Sequence, residues 1–484
     1  MKKINIIGLI AILLWANSCK EFEELQIDPN RAIQTHPGLI LTNIEVSTFN
    51  VIDVGSALAS RMLVFTDGAA SQQYYNWQRA DFSRYNNLRQ VSKMDEEAER
   101  LDLPNYRPLA LFFNSLHIVE ITKVFGDVPY SEGLSATSGI YSPKYDTQED
   151  IYLKVLNDLK EANNTLDASK GAITGDIIYG GDILKWKKLI NSYSLRILMS
   201  LSAKTGNSKL NVINRFKEIT DNPDQYPIFT SNEDNAALHF HDLVDNRYPY
   251  LNNNNFKTAY YMEESFVNLL KDKQDPRLFV FADPKPQGSA FPETDFDAYG
   301  GLDGSAPLAD NTNRLVNGEG SRADARYYSD PVNEPSVALG YAEVEFTLAE
   351  AAARGWITDD PAEHYEKGIR ASFDFYGMSD ADSYLMQPGV AYVPANGIEM
   401  IITQKYINFF MNCGWEAFYN HLRTGYPVFS VDGGGVLNNG LVPKRWMYPQ
   451  QELQLNTENV QEAIQRQYPE GDDINGVMWL SKTE

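Results

Sequence analysis

The sequence predicts a mainly α-helical protein in which tetratricopeptide-like helical hairpins form a scaffold interrupted by long loops. Three observations lead there. Apolar residues recur at helical spacing along several segments, as in Ile151, Val155, Leu159, Ala162 and Leu166. One stretch, Tyr341 to Gly377, reads as two antiparallel helices with alanines where they would cross. No alternation of strand and helix patterns, the mark of a parallel sheet, is visible.

The chain opens with Met1-Lys2-Lys3 and the apolar run Ile6 to Trp15, a charged start and short apolar core of the secretory type. The run is too short to span a bilayer. Small residues Ala16 and Ser18 then precede Cys19 and suit cleavage just before it. Residues 1–18 are therefore expected to be a lipoprotein-type signal peptide. Cys19, as the new N-terminus, would carry the lipid anchor, since several acyl chains hold a protein on a membrane far better than one. Ordinary secretory cleavage also accepts Ala16 and Ser18. Residues 19–35, which include the acidic Lys20-Glu21-Phe22-Glu23-Glu24, form the tether, and residues 36–484 are expected to form one domain. The other cysteine, Cys413, lies in an apolar stretch and reads as a buried free thiol.

Within that domain Thr147-Gln148-Glu149-Asp150 begins a helix with a capping box. Gly180-Gly181-Asp182 precedes another, whose buried stripe is Trp186, Leu189, Ile190, Tyr193, Ile197 and Leu201. In the hairpin, the alanine-rich Leu348 to Ala353 stops at Gly355. Asp360 then caps a second helix with Pro361 at its first position and Glu363 closing a capping box, and Gly377 ends it. Such a hairpin needs neighbours, so helices near 106–125, 147–167, 183–203 and 398–412 are expected to stack with it. Between about 220 and 340 the helical pattern weakens and Asp, Asn, Gly and Pro take over, giving a loop-rich insert. Its aromatic content argues that it is ordered.

The 42 basic and 65 acidic residues give a net charge of −23, or −25 once Lys2 and Lys3 are removed with the signal. Nucleic acid and anionic lipid surfaces repel such a chain. Nucleophile-elbow, zinc-helix, phosphate-loop and dinucleotide signatures are missing. His239-Phe240-His241-Asp242 is the one histidine cluster that metal chemistry could use, and a polar edge or loop is favoured there. Asp295-Phe296-Asp297 starts like a calcium loop, but Tyr299 stands where an oxygen ligand is required. No metal, cofactor or catalytic residue is assigned. Paired carboxylates abound, so a glycosidase acid and base remain conceivable.

Aromatic clusters are the better candidates for binding, because a flat ring stacks on the apolar face of a sugar while nearby polar groups bond its hydroxyls. Tyr74, Tyr75, Asn76 and Trp77, followed by Asp81, Arg84 and Tyr85, offer that mixture. Tyr74, Tyr75, Trp77 and Tyr85 would supply rings, and Asn76, Asp81 and Arg84 polar contacts. Tyr327 and Tyr328, in the loop-rich insert, are a second candidate.

Several stretches, taken together, resemble the SusD/RagB family of nutrient-binding outer-membrane lipoproteins. They include Asp28-Pro29-Asn30 with His36-Pro37, Phe125-Gly126-Asp127-Val128-Pro129-Tyr130, Tyr145-Asp146-Thr147 with Ile151-Tyr152, and Gly181-Asp182 with Lys185-Trp186. Asn191-Ser192 through Leu195-Arg196 follow. The C-terminal third adds Ala349-Glu350-Ala351, Gln404-Lys405-Tyr406, Trp415-Glu416-Ala417, Arg423 to Pro427, and Pro443-Lys444-Arg445 with Tyr448-Pro449. The resemblance covers nearly the whole mature chain. It implies a superhelix containing four tetratricopeptide-like hairpins, with ligand-binding loops on one face. It also implies capture of oligosaccharides, or in some cases peptides, for a SusC-like TonB-dependent transporter of the outer membrane, on the outer face of the cell and without catalysis. A surface glycoside hydrolase and a scaffold that touches only protein are the alternatives. Sugar-stacking residues vary within the family, so none is carried over, and Ala16 stands where the usual lipobox has Leu.

Overall fold

The helix starts foreseen in the sequence are built by side-chain caps. In this computed structural model, which describes residues 34–483, Thr147 Oγ1 accepts the Asp150 amide at 3.1 Å and opens the helix Gln148–Thr165. Asp182 accepts from Leu184 and Lys185 and opens Ile183–Ser200. Asp360 accepts from Ala362, with Pro361 at the first position of Pro361–Phe375. Each cap satisfies amides that have no partner inside the helix. Glu363 does not close the expected box; it pairs with Lys367 one turn on, at 2.6 Å. Residues 1–33, and with them the signal peptide and Cys19, lie outside the described residues.

The helices stack largely in chain order. Pro37–Phe49 packs on Tyr85–Arg100, which packs on Tyr106–Phe125, then Gln148–Thr165, then Ile183–Ser200. Ile183–Ser200 in turn lies against Tyr341–Ala353, the first helix of the expected hairpin. That helix packs on Pro361–Phe375 and on Gly397–Asn408. The helical scaffold is thus as expected. Gly368 makes the hairpin close: a Cβ there would sit 2.6 Å from the Phe346 ring across the crossing. Tyr106–Phe125 is long and apolar enough to cross a membrane by composition, yet it is almost wholly buried in the protein core.

The hairpin carries a titratable tie. His364 Nδ1 lies 2.6 Å from the Glu345 carboxylate on the first helix, and Nε2 lies 3.1 Å from Asp359. Burial lowers the imidazole's pKa, but the two carboxylates outweigh it and hold the value above 6.5. A group whose folded value is raised contributes stability below its unfolded value and loses it as pH rises through the folded value. The destabilisation caused by His364→Gln, read from urea midpoints, is therefore expected in full below pH 6.5 and to shrink above it.

The 220–340 insert is more structured than its composition suggests. Two short antiparallel ribbons organise it: Leu63–Phe65 pairs with Tyr260–Met262, and Ala236–Leu238 with Ser336–Leu339. Glu264–Asp272 and Leu308–Val316 add helices. Strands of three and four residues are too short to show alternation, which is why the sequence read as loop. Its aromatic rings do order it, with Tyr248, Phe256, Phe266 and Tyr327 all buried.

The C-terminal segment returns to the first helices. Gly126 ends Tyr106–Phe125 with φ +90°, and a Cβ there would meet the Gln467 side chain at 2.1 Å. Asp127, next in the chain, accepts the Gln148 amide and an Arg466 N–H, while its carbonyl accepts the Tyr448 hydroxyl at 2.6 Å. The Gly-Asp-Val-Pro turn is therefore a junction between distant parts of the chain.

Candidate functional site

The segment 70–85 folds as a tight loop ahead of the Tyr85–Arg100 helix. The Tyr74 amide bonds to Ala70 O and the Asn76 amide to Ser71 O, and Tyr75 sits at φ +55°. This geometry turns Gln73, Tyr74, Tyr75 and Trp77 inward and leaves Asn76 outside, and it reassigns most of the expected stacking rings to the core. Tyr75 is fully buried, its hydroxyl donates to Ala59 O at 2.8 Å, and the Arg61 guanidinium lies 4.2 Å over its ring. Burial pushes its phenol far above the usual value. Trp77 is also buried, with Nε1 donating to Arg445 O at 3.0 Å. Tyr74 is buried too, its hydroxyl without a partner among the described residues. Tyr85 packs its ring on Phe82 and donates its hydroxyl to Pro129 O at 2.6 Å. Tyr74, Tyr75 and Trp77, covered by protein, cannot also stack on a sugar, and Tyr85 is half-buried, so further ring surfaces for ligand come from elsewhere.

Tyr327 is likewise corrected to a core residue, fully buried beneath the Arg326 guanidinium at 4.2 Å. Tyr328 is only partly buried, near Asp283, Arg322 and Asp324, and does not line the cavity described next. His239 follows the Ala236–Leu238 strand, and among the described residues no three His, Cys, Asp or Glu side chains are placed together to hold a metal.

The polar half of the 74–85 cluster does reach a cavity. Asp81 and Arg84 line a space of about 230 Å³ together with Trp415, Tyr419 and Trp446. Asn76 is exposed outside it. The Ser83 hydroxyl and amide hold the Asp81 carboxyl below its ordinary value, with the Arg84 charge assisting. The rings come from the C-terminal third. Trp446 stacks on Trp77 with centroids 4.7 Å apart and planes 13° from parallel, and Trp415 stands nearly perpendicular to Trp446 at 4.9 Å. Trp77 is thus the buried backing of a partly exposed tryptophan pair. Sequence reasoning found Trp77 and missed its partners, since nothing local links residue 77 to 415 or 446. The available signal was the aromatic content of Trp415-Glu416-Ala417, read as family motif rather than as ligand surface, and of Trp446, which lies between the motif residues Arg445 and Tyr448.

A second cavity of about 250 Å³ adjoins the first and shares Arg84, Trp415 and Tyr419 with it as lining. Lys123 and Glu416, paired at 2.7 Å, and Glu120 and Arg196 also line it.

Comparison with known proteins settles the family. The SusD-like model described as starch-binding and associating with the outer membrane matches residues 29–449. The chain belongs to the SusD-like family. Among solved structures it is similar to a Bacteroides vulgatus protein described as an outer-membrane protein involved in nutrient binding. The two share 38% identity over 93% of this chain and 100% of that one, with a TM-score of 0.87. A SusD homologue of Bacteroides fragilis matches at 39% identity, with the same coverage and a TM-score of 0.86. A chitin-binding protein matches at 26% identity, over 92% of this chain and 100% of that one, with a TM-score of 0.74. No protein with a curated description matches. The SusD-like family consists of nutrient- or starch-binding proteins associated with the outer membrane, and its helical fold is the one seen here.

Proposed function

We propose that this SusD-like protein captures oligosaccharides outside the cell, held to the outer membrane by lipid on Cys19, and passes them to a SusC-like TonB-dependent transporter. The observation that carries the binding half is the Trp446 and Trp415 pair, backed by Trp77, lining one cavity with Asp81 and Arg84. A partly exposed indole beside a carboxylate and a guanidinium matches the two sides of a sugar ring, one apolar and one edged with hydroxyls that both donate and accept. Similarity to a chitin-binding protein points to the same ligand class. Binding alone suffices for this role, and no bond in the ligand need break.

Titration calorimetry of the purified protein against neutral and amino-sugar oligosaccharides tests the reading. Trp446→Ala is expected to weaken the best glycan by at least about tenfold, because aromatic anchors at the centre of a site carry about 2 kcal/mol or more. Unchanged glycan affinity in Trp446→Ala and in Arg84→Ala would remove this site. Preference for peptides over every glycan would overturn the ligand class, and shortened glycan products would replace the reading with a hydrolase.

A further inference from the structure

Arg196, Glu350, Lys405, Glu416 and Arg423 stand at widely separated positions in the chain, and the tryptophan-lined cavity uses none of them. All but Glu350 line a third, smaller cavity of about 40 Å³, together with Lys123. Four helices each bring one cation to it: Lys123 from Tyr106–Phe125, Arg196 from Ile183–Ser200, Lys405 from Gly397–Asn408 and Arg423 from Glu416–Thr424. Their side chains are only 3% to 10% exposed. Glu416 is the one carboxylate in the wall among the described residues. Like charges gathered in this way repel, and burial strengthens the repulsion unless something of opposite sign sits among them.

Three carboxylates offset part of this charge. Glu416 takes Lys123 at 2.7 Å, Glu343 takes Arg196 with Nε at 2.8 Å, and Glu350 takes Arg423 with Nη2 at 2.8 Å. Lys405 is left over. Its ammonium donates to Thr347 Oγ1 at 3.1 Å, and the nearest carboxylate oxygen, on Glu343, is 3.7 Å away, beyond a hydrogen bond. Two of its N–H groups, and Nη1 of Arg196, have no acceptor among the described residues. Four buried cations therefore face three carboxylates, and Arg354, 2.8 Å from Glu350, adds a further positive charge at the edge. The carboxyls register the imbalance: burial raises Glu350 and Glu416, yet the cations around them hold both down to about 2. Burial lowers the Lys405 ammonium, and Arg423 and Arg196 push the same way against Glu343 and Glu350.

We infer that this third cavity holds a small monovalent anion, chloride in a saline medium, which accepts N–H groups from Lys405 and Arg196. One such charge offsets the cation that the three carboxylates leave over. The space admits one small ion with a water molecule and is too small for phosphate, sulfate or a sugar ring. The net charge of −23 repels anions from the protein as a whole, so uptake here reflects the local cluster. The ion joins Gly397–Asn408 to Ile183–Ser200 through charges that otherwise push them apart. Lys123, Arg196, Glu416 and Tyr419 also line the second cavity, so the ion steadies a wall shared by both.

The test uses the full chain without residues 1–18. Crystals soaked in sodium bromide are expected to show an anomalous peak inside the cavity, in contact with Lys405 Nζ and an Arg196 nitrogen. Bromide found only at exposed lysines and arginines, or nowhere, overturns the inference. In solution, replacing gluconate by chloride at constant sodium is expected to raise the thermal midpoint by about 2 °C between 1 and 100 mM, because an ion that binds only the folded state stabilises it. Equal midpoints in the two salts overturn it as well. Lys405→Met keeps the length of the side chain and removes the excess charge. The variant is expected to fold and to lose both the bromide peak and the chloride dependence, and an undiminished dependence contradicts the site. Should the variant fail to fold, bromide diffraction from the unaltered protein still decides. Glycan titrations are separate, since the oligosaccharide reading and the ion site can each fail alone.

Discussion

Replacing Asp275 with alanine is expected to destabilise the protein by about 3–5 kcal/mol, the cost of stranding a buried charge. Asp275 and Arg277 are both 0% exposed and form a two-pronged pair, with Nε to Oδ1 at 2.9 Å and Nη2 to Oδ2 at 2.6 Å. The rest of the guanidinium is used as well, by Ser372 Oγ at 2.9 Å and Gln404 Oε1 at 2.7 Å, with the Phe373 and Tyr384 rings above it. This one side chain therefore ties the insert to Pro361–Phe375 and Gly397–Asn408. Removing the carboxylate leaves the positive charge with neutral partners only, and water cannot reach it. Replacing both members, Asp275→Leu with Arg277→Met, is expected to recover much of the loss, since apolar residues of similar size need no partner. Urea midpoints of the single and double variants measure both effects. Equal loss in the two would mean that packing, not the stranded charge, sets the penalty.

Trp77→Ala is expected to cost a similar amount, about 3–5 kcal/mol, for a different reason: it opens a cavity. Trp77 touches Tyr75, Trp415, Phe418 and Trp446, with centroids between 4.7 and 5.9 Å, and its indole N–H is spent on the Arg445 carbonyl. The surrounding rings belong to three separate segments and cannot close the gap without shifting one another. Trp446→Ala, at the partly exposed end of the same stack, is expected to lose far less stability and more glycan affinity. Denaturation and calorimetry on the two variants separate the ring that supports from the ring that meets ligand. A Trp77→Ala protein with an unchanged midpoint would contradict the buried assignment.

The contrast between these tryptophans shows what could be read from the chain. Helix starts at Thr147, Asp182 and Asp360 were legible because a cap and its helix are neighbours in sequence. The stacking of Ile183–Ser200 and Gly397–Asn408 on the hairpin was legible from alanine and apolar spacing. The 74–85 cluster was recognised as an aromatic and polar mixture, but its inward and outward sides were not. That division depends on the backbone turn at Tyr75, which no periodicity describes, and on cover supplied from 415–446. Asp81 and Arg84 kept their exposure because a short carboxylate stabilised by Ser83 and a long cation both favour water. The ribbons of the insert escaped because each strand is three or four residues long and its partner lies far along the chain.

The junction at Asp127 bears on how the molecule is made. Asp127 waits for Arg466 and Tyr448, Trp77 for the Arg445 carbonyl, and the Phe125 carbonyl for the Tyr468 hydroxyl at 2.8 Å. Contacts separated by more than 300 positions form late, after the loop between them has closed. The first helices of this protein cannot finish packing until its last forty residues have arrived. A chain cut short near residue 440 is expected to keep most of its helices and still expose the apolar side of the 106–125 segment, which limited proteolysis of the shortened chain would detect as cleavage that the full chain resists.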